Sequence, residues 1–129
     1  MKSKGKILVI DDSLYHREEL KRLLDENGYK VFDAADAIDG LQMMRKIHPD
    51  LVITDINMPV MEGTEAVKYM KKIDRDAIIV MFSSLDDERT VMEAIKGGAK
   101  DYITKPLDKA KMIETVERLL KTYSNGRKD

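Results

Sequence analysis

Five short apolar runs recur along the chain, separated by longer charged segments, and this alternation constrains the fold more than any other feature. The runs are KILVI (Lys6 to Ile10), KVFDA (Lys30 to Ala34), LVIT (Leu51 to Thr54), AIIVMF (Ala77 to Phe82) and DYIT (Asp101 to Thr104). Each is short and several are rich in β-branched residues, as strands covered on both faces are. KVFDA and DYIT are the more polar two, which predicts that they form the sheet edges.

The segments between the runs carry helical spacing. The last is the clearest, with Met112, Ile113, Val116, Leu119, Leu120 and Tyr123 stepping by three and four. Leu20, Leu23 and Leu24 mark the first helix, and Ala66, Met70 and Ile73 the third. Leu41, Met44 and Ile47, then Val91 and Ile95, make weaker stripes on the second and fourth. Asn27-Gly28, Pro49 and Gly97-Gly98 supply the stops that helices one, two and four need. Strand and helix thus alternate five times. The pattern predicts right-handed crossovers and an α/β fold, an open five-stranded parallel sheet with helices on both faces. One domain is expected over residues 1–123, with SNGRKD at 124–129 as a polar tail.

Bulk properties narrow the function. A chain of 129 residues with no cysteine can bury a sufficient core without disulfides, and thiolate catalysis and zinc-thiolate sites are excluded. The formal net charge of −1 offers no electrostatic footprint for direct DNA binding. The basic start, MKSKGKILVIDD, has an apolar stretch too short for a signal peptide or a membrane span. The expectation is a soluble cytoplasmic protein.

In open α/β sheets, ligands bind beyond the carboxyl ends of the strands. Asp11 and Asp12 follow the first run, Asp55 the third, Ser83 and Ser84 the fourth, and Lys105 and Pro106 the fifth. Three carboxylates within ~5 Å repel by about 3 kcal/mol per pair at an effective dielectric near 20. Mg²⁺, with Mn²⁺ as the alternative, would remove that conflict through hard oxygen ligands. Asp11 and Asp12 then hold the metal, with the backbone carbonyl of Asn57 as a further oxygen. Asp55 can serve as a nucleophile that becomes an acyl phosphate, assisted by Lys105 and the Ser83 hydroxyl. A carboxylate nucleophile is ionised at neutral pH and requires no general base.

Other residues have plainer readings. Ser13 is expected to cap the first helix, and Asp86, Asp87 and Glu88 suit a helix N-terminus. His16 is read as a surface or partner-facing imidazole and His48 as helix-terminal, so neither is assigned to the site. Most of the nine Met residues read as core filler, while Met58, Met61 and Met92 could offer an adaptable contact surface.

Taken together, ILVIDDS from Ile7, PDLVITDINMPVMEG from Pro49 and GGAKDYITKP from Gly97 resemble the receiver domains of two-component response regulators. The resemblance spans nearly the whole chain and implies a flavodoxin-like sheet of order 2-1-3-4-5. It implies that Asp55 is the phosphoacceptor and that Asp11, Asp12, Asp55 and Asn57 surround the metal. Lys105 matches the lysine that contacts the phosphoryl group, and its bond to Pro106 is expected to be cis. Ser83 and Tyr102 match a pair that moves together on phosphorylation. Leu85 replaces a polar side chain that orients water in several relatives, which suggests altered loss of phosphate. The implied partners are a sensor histidine kinase or histidine phosphotransfer protein and an output protein. The output protein would be engaged through the face formed by helix four, strand five and helix five, by a monomer or a phosphorylation-dependent dimer. Such a domain catalyses only its own phosphorylation and dephosphorylation.

Three other functions fit less well. A receiver-like adaptor would leave the acid cluster unused. A Mg²⁺-dependent aspartyl-phosphate phosphatase needs Asp-x-Asp after the first strand and a cap. An FMN carrier needs a hydroxyl-rich, glycine-rich loop where Asp11 and Asp12 stand.

Overall fold

Alternate residues of each central strand face opposite sides of one sheet, and this sorts the core into two layers. The computed structural model describes residues 3–84 and 87–123. Its elements run β1 (Lys6–Ile10), α1 (Leu14–Glu26), β2 (Lys30–Ala34), α2 (Ala37–Ile47), β3 (Leu51–Thr54), α3 (Gly63–Ile73), β4 (Ile79–Ser83), α4 (Glu88–Gly97), β5 (Asp101–Thr104) and α5 (Lys109–Tyr123). All strand pairs are parallel, in the order β2-β1-β3-β4-β5. This is the flavodoxin-like, doubly wound arrangement, with β2 and β5 at the edges.

Leu8, Ile10, Val52, Ile79 and Met81 form one layer with Leu41 and Met44 of α2, Ala66, Val67 and Met70 of α3, and Ala94 of α4. Ile7, Val9, Ile53, Val80 and Phe82 form the other with Leu20 and Leu24 of α1 and Met112, Val116 and Leu119 of α5. Helix ends follow local chemistry. The Ser13 hydroxyl accepts from the His16 amide at 3.3 Å, and Asp36 and Asp87 cap α2 and α4 in the same way. Gly98, at φ 122°, takes the turn after α4 that a side chain would resist.

Four expectations need correction. β4 begins at Ile79 and extends through Ser83, not Ala77 to Phe82. The Ala77 amide turns back to the Asp74 carbonyl at 3.0 Å, whereas Ser83 pairs with Thr104. The α4 stripe is hardly covered: Val91 is half-buried, Ile95 is 44% exposed and only Ala94 is buried. Met58 belongs to the core and Met61 packs against it, which leaves Met92 as the exposed one of the three. Tyr123, the end of the α5 stripe, lies open beneath the Lys100 ammonium, 4.6 Å from its ring centre. Leu85, Asp86 and the tail at 124–129 lie outside the described residues. Among those described, no helix is long and apolar enough to cross a membrane.

Candidate functional site

Strand order reverses between β1 and β3, and the carboxyl ends of these two neighbours carry the acids. Asp11 leaves β1 buried, its amide held by the Ala34 carbonyl at 3.1 Å. Its Oδ1 accepts from the Ser13 amide at 2.9 Å, and its carbonyl accepts from Arg17 Nη1 at 2.8 Å. Arg17 is itself fixed by Asp33 of β2, at 3.0 Å. The β2 edge therefore braces the site from behind, although none of its side chains reaches it. Asp12 is exposed.

Asp55 extends from β3 with only 7% of its surface exposed. Its amide donates to the Ile10 carbonyl at 3.0 Å, and its Oδ1 accepts from the Ile56 amide at 2.7 Å. The chain then folds back, and the Gly63 amide donates to the Ile56 carbonyl at 2.7 Å. Glycine is required there, since a Cβ would strike the Asp55 carbonyl oxygen and stand 2.7 Å from the Ile56 Cα. Between these points Met61 N–H donates to the Pro59 carbonyl at 2.8 Å around Val60, whose φ is 75°. A positive φ on a β-branched residue is strained, and this one lies 80% exposed on the loop between Asp55 and α3.

Lys105, the residue after β5, completes the cluster, and its bond to Pro106 is cis as expected. Its amide donates to the Ser83 carbonyl at 2.9 Å, and its ammonium donates at 2.9 Å to the Oδ2 atoms of both Asp11 and Asp55. The side chain is 8% exposed and its Nζ lies 5.5 Å from the centre of the Phe82 ring. Burial alone pushes this ammonium down, but the hydrogen bonds and charges of Asp55 and Asp11 outweigh it and hold the group above the ordinary lysine range. The repulsion expected among the acids is thus partly relieved by the protein's own cation.

Asp11, Asp12 and Asp55 each offer an oxygen within 4.8 Å of the others'. An all-oxygen carboxylate set of this kind fits a hard divalent ion such as Mg²⁺. Ser83 is fully buried at the end of β4. It is in phase with Met81 and Ile79, and Tyr102, paired with Met81, packs half-buried against the same layer. Asn57 is exposed on the loop after Asp55, its amide 3.4 Å from Asp55 Oδ1, too long for a strong bond.

His16 was missing from the predicted site. It is half-buried, with Nδ1 3.1 Å from the Lys105 ammonium, and not a free surface imidazole. Its place three residues after the Ser13 cap puts it on the first turn of α1. That placement was available from the sequence, but its contact with a residue 89 positions away was not.

The family model of the response regulator receiver domain matches residues 7–117. Chemotaxis protein CheY of Treponema pallidum is 39% identical over 119 residues, covering 90% of this chain and 83% of the relative. A CheY-like receiver domain protein of Methanospirillum hungatei superimposes with a TM-score of 0.91 at 26% identity, over 98% of this chain and 99% of the other. CheY of Borrelia burgdorferi, solved in a complex with CheX, BeF₃ and Mg²⁺, does so with a TM-score of 0.85 at 31% identity, over 88% and 87%.

Proposed function

Because the chain belongs to the response regulator receiver domain family of two-component signalling, we propose that it is a phospho-accepting switch and that Asp55 is the acceptor. The observation that carries this reading is the shared ammonium: Lys105 joins the Oδ2 atoms of Asp55 and Asp11 at 2.9 Å each, inside a nearly closed site. Lysine held there is positioned for phosphoryl oxygens, and Asp55, like Asp11, has its other oxygen pinned by a backbone amide, at the tip of the central strand β3.

With Oδ1 held by the Ile56 amide, Oδ2 attacks phosphorus while the bond to the donor's leaving atom breaks. Lys105 moves from Oδ2 onto the transferred oxygens, and no proton needs removing from the nucleophile. Asp11, Asp12, Asp55 and the carbonyl of Asn57 would hold Mg²⁺, or Mn²⁺ in its place. When bound, the ion neutralises charge on the phosphoryl oxygens. The Ser83 hydroxyl and Tyr102 share the layer that α4 covers, which suits a population shift of the α4, β5 and α5 face on phosphorylation.

The phosphoryl donor is a sensor histidine kinase or histidine phosphotransfer protein, and the reader is an output protein. The protein acts in the cytoplasm, as a monomer or a phosphorylation-dependent dimer. It has no turnover beyond gaining and losing its own phosphoryl group, and residues 1–123 form the receiver unit. Intact-mass analysis after treatment with acetyl phosphate and Mg²⁺ tests the assignment. The expected result is one added phosphoryl group on the wild type and none on Asp55→Asn; modification that persists in the variant overturns it.

A further inference from the structure

An ammonium has three N–H donors and no acceptor. At Lys105 each donor has its own partner: Asp11 Oδ2 at 2.9 Å, Asp55 Oδ2 at 2.9 Å and His16 Nδ1 at 3.1 Å. Since lysine cannot accept, the imidazole accepts through Nδ1, and a neutral ring then carries its proton on Nε2. The side chain of Lys105 is 8% exposed, so solvent has little access to take over the third donor.

The imidazole is itself well placed to stay where it is. The His16 amide donates to the Ser13 hydroxyl at 3.3 Å, and the Tyr15 ring meets the imidazole edge-on at 5.5 Å between centres. The next residue, Arg17, is tied to the Asp11 carbonyl at 2.8 Å. The first turn of α1 is therefore fastened to the acid cluster on either side of His16.

We infer that His16 is a positioning residue for phosphorylation: through Nδ1 it holds the Lys105 ammonium over the Oδ2 atoms of Asp11 and Asp55, and so sets how fast Asp55 is phosphorylated. The inference rests on Asp55 being the acceptor. Of the three anchors on Lys105, Asp55 is the nucleophile and must release the ammonium as its Oδ2–P bond forms and the donor's bond to phosphorus breaks, P–N in a phosphohistidine and P–O in acetyl phosphate. Asp11 and His16 remain, and two fixed anchors let the ammonium pivot onto the phosphoryl oxygens without drifting. Without His16 a single anchor remains at that moment. His16 exchanges no proton and makes no bond to phosphorus.

Three proteins test this: the wild type, His16→Met and His16→Asn. Methionine keeps apolar bulk but lacks a strong acceptor, while the asparagine Oδ1 falls close to the position of imidazole Nδ1. The initial rate of acyl-phosphate formation from acetyl phosphate in Mg²⁺ should fall about three- to tenfold in His16→Met, the factor that one lost hydrogen bond supplies. His16→Asn should recover most of that loss. If His16→Met folds poorly, His16→Gln, whose oxygen lies one bond farther out, replaces it in the comparison and should also be slow. A second readout needs neither phosphate nor metal: imidazole ¹⁵N spectra should show His16 with an unprotonated, hydrogen-bonded Nδ1 that loses this signature in Lys105→Met. A wild-type rate in His16→Met, or a His16→Asn as slow as His16→Met, overturns the inference. If the wild type gains no phosphoryl group, the acceptor assignment fails separately, and the ¹⁵N spectra still decide whether His16 holds Lys105.

Discussion

Helices α3 and α4 are of nearly equal length, 11 and 10 residues, and pack on the same side of the sheet, yet they sit on it very differently. α3 buries Gly63, Ala66, Val67 and Met70, and its first residue presses against the backbone that carries Asp55. α4 buries only Ala94 and leaves Met92 and Ile95 49% and 44% exposed. Fully covering a side chain of that size contributes about 1.5–3 kcal/mol, so α4 forgoes much of the anchorage that α3 has. One helix holds the backbone of the acid; the other is anchored by far less buried surface, the condition under which a segment opens at low cost.

Four measurements bear on this contrast. The largest effect expected is from Mg²⁺, which should stabilise the fold by about 2.7 kcal/mol at a hundredfold excess over its dissociation constant. Amide exchange should slow in β1 and β3 and hardly at all in α4; uniform slowing would erase the division. Next, Gly63→Ala should cost about 1–3 kcal/mol in urea denaturation, because the new methyl meets backbone that cannot easily yield.

The acid site that α3 supports and the start of α4 should also fail at opposite ends of the pH scale. Lys105 is held above its ordinary value of 10.5, so its contribution is complete below that value and is lost as pH climbs through the higher folded one. Asp87, which caps α4, is held below its ordinary 3.8, chiefly by the Thr90 hydroxyl. Its contribution is present above 3.8 and is lost as pH falls through the lower folded value. Denaturation midpoints should therefore show an alkaline decline that Lys105→Met flattens, and amide exchange should open α4 first in acid. Lys105→Met with an unchanged alkaline decline would remove Lys105 as the cause. The smallest effect is expected at Gly97→Ala in α4, where a Cβ meets only Val67 Cγ1 at 4.0 Å. A gain of about 0.5 kcal/mol from helix propensity should result, and a loss matching that of Gly63→Ala would break the comparison.

Strand positions were legible because apolar runs of four to six residues between helical stripes leave few alternatives. The acids were legible because Asp11, Asp12 and Asp55 stand where buried strands end and nothing structural requires charge. What escaped was whatever depends on a partner far along the chain. The run AIIVMF signals burial, yet Ala77 is buried in a turn while Ser83, a polar residue, continues the pairing with β5. Spacing gave α4 an apolar stripe, but periodicity does not reveal whether anything covers it, and Ile95 stays open. His16 looked like a surface residue for the same reason: only the tertiary fold brings Lys105, just past β5, within 3.1 Å of its ring.

Among the described residues the two apolar layers form separate clusters on opposite faces of a single sheet. Leu20 and Val116 lie in one cluster, Met70 and Ala94 in the other. Substitutions across that divide should then be close to additive. Such a chain can repack α2, α3 and α4 on one side while the packing of α1 and α5 on the other stays intact. The sheet is thus a partition across which the two packing layers can change separately.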